Sequence, residues 1–117
     1  MRLWLPVVAY MAAIFYVSSL SEPPAPEQVS DKQLHFWVYG GLALVTLRAL
    51  ARGGWAGVGA ATLAGAWLIA AGYGVTDEWH QTFTPGRSPE WADVAYDAAG
   101  AGAALIAAGT WSIIRRL

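Results

Sequence analysis

Residues 76–100 read TDEWHQTFTPGRSPEWADVAYDAAG and lie between two long apolar stretches, 55–75 and 98–114. Asp77, Glu78, His80, Gln81, Arg87, Glu90, Asp93 and Asp97 all fall within them. Five of the eight acidic residues are here, and the other three, Glu22, Glu27 and Asp31, share one earlier segment. Ionisable groups beside hydrocarbon-length segments are costly to desolvate, so such a cluster at a membrane edge reads first as a functional site.

The rest of the chain supplies the apolar frame. Of 117 residues, 56% are hydrophobic and 13% charged, against roughly 45 to 50% apolar in soluble domains. The net charge of −1 and the lack of a basic stripe exclude nucleic acid as a partner. With no cysteine, disulfides, thiolate metal sites and a cysteine nucleophile are excluded as well.

Four apolar segments predict an all-α membrane protein, a compact bundle of four transmembrane helices over about 3–20, 32–50, 55–77 and 89–114 in a single domain of 1–117. Arg2, Arg48, Arg52, Arg115 and Arg116 fall on one side of these segments; Lys32 and Arg87 fall on the other. The positive-inside rule therefore predicts cytoplasmic termini and extracytoplasmic loops over 21–33 and 76–93. A rival reading of the N-terminal run is a cleaved signal peptide, with Ser19-Leu20-Ser21 as a small-x-small site. The other three segments keep their orientation either way.

Local chemistry refines this frame. Pro23, Pro24 and Pro26 make the first outer loop an extended connector. Ser30 and Gln33 form a capping-box pattern that starts the second helix, with Asp31 in its first turn. Asp31, His35 and Tyr39 recur every four residues and share one helix face. Gly53, Gly57, Ala61 and Gly65, and again Gly100, Ala104 and Ala108, predict small-residue ridges suited to close helix packing or a homo-oligomer interface. Thr84-Pro85-Gly86-Arg87 has the composition of a type II turn, and Ser88-Pro89-Glu90 that of a helix start. Asp93, Asp97 and Gly100 then share a face directed into the bundle.

The expected ligand-binding set is Asp31, Lys32, His35, Tyr39, Asp77, Glu78, Gln81, Arg87, Asp93 and Asp97. A structural account pairs Lys32 and Arg87 with carboxylates that tie loop to helix. Histidine and carboxylates at one depth also suit a divalent cation, but the spacing matches no tight metal motif, and neither a metal ligand nor a cofactor is assigned. Glu78, Asp77, His35 and Asp97 are the candidate acid/base groups, although no nucleophile with a partnered base is legible. An ion or proton path ranks lower, because the acids stop on the outer half.

Two polar motifs agree in order and spacing with a known family. Asp31-Lys32-x-x-His35-Phe36-x-x-Tyr39, followed by Asp77-Glu78-x-x-Gln81-x-Phe83-x-Pro85-Gly86-Arg87-x5-Asp93-x3-Asp97-x2-Gly100, resembles the signature of the VanZ-like family of small bacterial membrane proteins. The resemblance implies a multi-pass protein of the bacterial cytoplasmic membrane, related to a protein associated with low-level teicoplanin resistance. The family pattern usually has asparagine where Asp97 stands, and an acid there adds a charge that bears on which ligand is bound.

Two functions follow as expectations. In the first, an extracytoplasmic pocket binds a polar head group, from a lipid-linked cell-wall precursor or a glycopeptide antibiotic. Lys32 and Arg87 would meet phosphate or carboxylate, while Trp37, Trp79 and Trp91 would stack at the interface. In the second, an intramembrane enzyme modifies a lipid-linked phosphate head group, with Glu78 or Asp97 as acid/base and Arg87 stabilising developing charge.

Overall fold

A computed structural model describes residues 2–20, 30–86 and 88–117; position 87, which the sequence places in the candidate site, lies outside the described residues, as do the prolines of the first outer loop. The described residues form four helices and no strand: α1 Leu5–Ser18, α2 Asp31–Leu50, α3 Ala60–Gln81 and α4 Trp91–Ile114. A single 3-10 turn, Trp55–Gly57, precedes α3.

The start of α2 follows from its capping box. Ser30 Oγ accepts from Gln33 N–H at 3.1 Å, and Ser30 N–H donates back to Gln33 Oε1 at 3.0 Å, so the first helical donors are satisfied as the spacing predicts. Several boundaries differ from the sequence expectation, α1 being shorter at both ends than 3–20. The third helix begins at Ala60 rather than near 55, because Gly53, Gly54, Gly57 and Gly59 fall before it, and glycine costs a helix interior about 1 kcal/mol relative to alanine. Gly53 sits instead at φ 81 in the turn after α2. Of the small-residue series 53, 57, 61, 65, only the last two are on α3.

At its other end α3 continues to Gln81, since no helix breaker intervenes before Pro85 and Gly86. Gly86 has φ 79, the left-handed value a type II turn requires at its third position. That extra turn puts Gly74, Asp77, Glu78 and Gln81 on one buried stripe of α3. The fourth helix has Glu90 as its N-cap, two residues beyond the expected Ser88.

The core pairing is α2 with α4, the most extensive in the molecule, with α3 packed against both. Its closest approach is at glycine. A Cβ on Gly100 would run into the carbonyl of Phe36, and one on Gly40 would lie 3.2 Å from the Gly100 oxygen and 3.6 Å from Ala104 Cβ. The expected ridge on α4 is therefore real at Gly100 and Ala104, where small residues let two backbones meet. Contacts of α1 are sparser and partly polar: Tyr10 Oη–H donates to the Val38 carbonyl and Tyr73 Oη–H to the Met11 carbonyl, both at 2.6 Å.

Among the described residues, α4 is the one helix long and apolar enough by composition to cross a membrane; α1 is apolar but has 14 residues. Asp31, Lys32 and Arg48 on α2, and Asp77 and Glu78 on α3, lower the apolar character of those helices.

The α2–α4 contact makes a direct prediction. Gly100→Leu should destabilise the purified protein by about 1–3 kcal/mol through overpacking. Ala99→Leu, on the exposed neighbouring face, should stay within about 0.5 kcal/mol. Thermal unfolding in detergent reads both.

Candidate functional site

The polar stripe of α2 and the acidic face of α4 meet where their backbones cross. His35 is the hub. Its Nδ1 lies 2.6 Å from Asp97 Oδ1, and its Nε2 lies 3.5 Å from Asp93 Oδ2 and 3.7 Å from Asp31 Oδ2. The short Nδ1 contact is a hydrogen bond, and it directs the ring so that Nε2 faces the other two carboxylates. His35 also stacks on Tyr39, with ring centroids 6.1 Å apart and planes 4° from parallel.

Above this hub, Lys32 Nζ–H donates to Glu90 Oε2 at 2.7 Å and to Asp93 Oδ1 at 3.1 Å. The ammonium therefore joins the start of α2 to the start of α4. This is the structural tie expected of Lys32, with Glu90 as a partner outside the expected binding set.

From α3 come Glu78, Asp77 and Gln81. Glu78 Oε2 accepts the Glu90 backbone N–H at 2.8 Å, so a buried carboxylate holds the entry to α4. Asp77 faces the side chains of Ser18 and Tyr39, although among the described residues its Oδ1 and the Tyr39 hydroxyl have no partner in hydrogen-bonding geometry. Glu78 Oε1 and Asp97 Oδ2 are likewise buried without a partner among the described residues. Asp97 Oδ2 points toward Gly74, where an added Cβ would lie 2.6 Å away; glycine there makes room for the acid.

These groups sort into two sides. Asp31, His35, Tyr39, Asp77 and Gln81 line a cavity of about 370 Å³ together with Ala13, Ile14 and Val17 of α1. Lys32, Glu78, Asp93 and Asp97 do not line it; Lys32 and Glu78 bond to the start of α4, to which Asp93 and Asp97 belong. Asp31, His35 and Asp93 also offer one donor atom each within 4.8 Å of one another. Because those residues come from two helices, no local spacing could have shown that grouping.

Several participants had no sequence signal. Ser18 is buried beside Asp77, and Tyr10 and Tyr73 anchor α1 to its neighbours. His80, in the acidic stretch, turns away and stacks on Phe15 at 4.1 Å. Only its place one residue from the buried stripe of α3 would have separated it from Gln81.

The fold and site define a class: a small helical protein, with four helices among the described residues, that buries Asp77, Glu78, Asp93 and Asp97 around one hub histidine. The chain belongs to the VanZ/LLP1 family, whose model matches residues 8–114. The match takes in both motifs, 31–39 and 77–100, on which the resemblance rests. No curated protein and no solved structure matches the chain.

Position 97, where the resemblance implies asparagine, holds the acid that bonds His35. An amide at 97 would keep an acceptor for His35 Nδ1–H, but only a carboxylate also supplies charge to the pair. Asp97→Leu should cost about 1–3 kcal/mol because it strands the half-buried imidazole, and Asp97→Asn should cost clearly less. A double-mutant cycle with His35→Ala and Asp97→Ala should return a coupling of about 0.5–3 kcal/mol in thermal unfolding.

Proposed function

We propose that this VanZ/LLP1 protein is a multi-pass protein of the bacterial cytoplasmic membrane. Its four helices cross the bilayer, and the His35–Asp77–Asp97 region binds the polar head group of a lipid-linked cell-wall precursor or a glycopeptide antibiotic at the extracytoplasmic surface. One observation carries the reading, an inverted distribution of polarity. Asp77, Glu78, Gln81, Asp93 and Asp97 expose 5% or less, whereas Trp37 exposes 70% and Ile106 72%. Large apolar side chains turned outward and carboxylates turned inward suit a hydrocarbon surrounding, where ionisable residues face the bundle interior.

Helix length and composition explain why four spans are compatible with one strongly apolar helix. The α2 and α3 helices have 20 and 22 residues, within the range of about 17 to 25 needed to cross. Asp31, Lys32 and His35 cluster near the start of α2, Arg48 lies at its other end, and Asp77, Glu78 and Gln81 are buried near the end of α3. The α1 helix is shorter, and the flanking Arg2, Leu3 and Trp4 together with Ser19 and Leu20 extend its reach.

Lys32 is already engaged by Glu90 and Asp93, so head-group recognition falls to the carboxylates, His35 and Gln81 rather than to that ammonium. The glycopeptide branch of the reading comes from the family resemblance; the structure contributes the shape and charge of the site.

Two experiments test the proposal. The lack of cysteine makes single-cysteine labelling clean: in intact cells, Ser88→Cys should react with an impermeant maleimide, and Arg52→Cys only after lysis. Labelling of Arg52→Cys from outside would overturn the topology. For function, His35→Ala and Glu78→Gln should abolish any change in glycopeptide susceptibility or precursor binding conferred by the wild type. Unchanged susceptibility and binding in both inserted variants would overturn the binding site. A lipid species whose appearance depends on Glu78 would instead identify an enzyme.

A further inference from the structure

The cavity beside α1 is lined mostly by apolar side chains, Ala13, Ile14 and Val17 of α1 and Leu34 and Val38 of α2. Asp31, His35, Tyr39 and Asp77 bring polar groups to it. Along α1 it extends from Tyr10 to Ser18, eight residues or about 12 Å at 1.5 Å per residue. Its volume of about 370 Å³ falls in the range of about 300–1,000 Å³ typical of small-molecule sites.

Two of its lining groups are left with unmet bonding. Among the described residues, the Tyr39 hydroxyl and Asp77 Oδ1 are both buried without a partner in hydrogen-bonding geometry, with Tyr39 and Ser18 facing the Asp77 carboxyl, and Tyr39 and Asp77 expose 1% and 5% of their surface. A buried carboxylate oxygen requires a donor, and a hydroxyl can accept as well as donate. The cations at hand already face other carboxylates: Lys32 is bonded to Glu90 and Asp93, and His35, which lines the cavity, is bonded through Nδ1 to Asp97 and turns Nε2 to Asp93 and Asp31. A second carboxylate, Asp31, lines the same cavity.

We infer that this cavity binds an amphiphile carrying a primary ammonium, whose N–H donors meet Asp77 Oδ1 and the Tyr39 hydroxyl while its apolar part lies along α1. This names the ligand class for the head-group reading above and rests on it. An ammonium offers three donors and a positive charge to a site with two carboxylates. A phosphate or carboxylate head would face like charge, and a neutral hydroxyl would leave a buried carboxylate uncompensated. The apolar lining selects for an amphiphile over a free amine, since burial against Ile14 and Val17 stabilises only a ligand with hydrocarbon to bury.

The test uses the full chain in phosphatidylcholine nanodiscs with dodecylamine, dodecanol and dodecyl phosphate as probes, read by native mass spectrometry after release. Wild type should retain dodecylamine in preference to the other two. Asp77→Asn and Tyr39→Phe should each reduce its affinity, the former about tenfold or more. Val17→Trp, which fills the cavity from the α1 side, should abolish retention with helical content unchanged by circular dichroism. Preferential retention of dodecyl phosphate would overturn the ammonium assignment and leave the head-group reading standing. Dodecylamine retention unaltered by all three variants, or retention of no probe by the wild type, would overturn it too. The susceptibility phenotype of His35→Ala and Glu78→Gln then judges the head-group reading independently.

Discussion

The contact of Gly100 with the main chain of Phe36 sets the distance between α2 and α4, and the polar interior depends on that distance. Aspartate is a short side chain. Asp93 and Asp97 reach Lys32 and His35 from the facing helix only because the backbones meet without an intervening Cβ at 100 and with little clearance at Gly40. A larger residue at that crossing would separate the helices and open the 2.6 Å bond between His35 and Asp97. The glycine is therefore an electrostatic determinant as much as a packing one.

Once the crossing is fixed, the acids become mutually dependent. Asp97 orients His35, His35 faces Asp31 and Asp93, and Asp93 shares Lys32 with Glu90. Glu90 in turn donates its backbone N–H to Glu78 of α3. Three helices are thus linked by charge-assisted bonds, and at the buried Glu78, Asp93 and Asp97 an ionised group left unpaired is expensive. Among the described residues, buried atoms of Tyr39, Asp77, Glu78, His80 and Asp97 without a partner are departures from this economy, and Tyr39 and Asp77 line the cavity next to α1.

The α1 helix is the least integrated part of the bundle. It is held by tyrosine hydroxyls reaching backbone carbonyls, Tyr10 to Val38 and Tyr73 to Met11, and the cavity lies along its face. A helix fastened by a few directional bonds leaves space beside it that a fully interdigitated helix would not. That arrangement places a binding volume beside the acidic hub while the tighter α2–α4 pair preserves the hub geometry.

Much of this was legible in the sequence because it depends on local spacing. The capping box at Ser30 and Gln33, the α2 face of Asp31, His35 and Tyr39, and the α4 face of Asp93, Asp97 and Gly100 follow from helix periodicity and capping chemistry, and the four helical segments from the length of the apolar runs. The glycine series from 53 to 65 misled, because spacing by four counts as a ridge only where a helix exists, and clustered glycines favour a turn there. Tertiary structure alone decided who pairs with whom: Lys32 with Glu90, His35 with Asp97, Glu78 with the Glu90 main chain, and Ser18 beside Asp77. Those partners lie on different helices, and one-dimensional periodicity gives the face of each helix but neither its depth nor its rotation against its neighbour. The close approach at Gly100 supplied both.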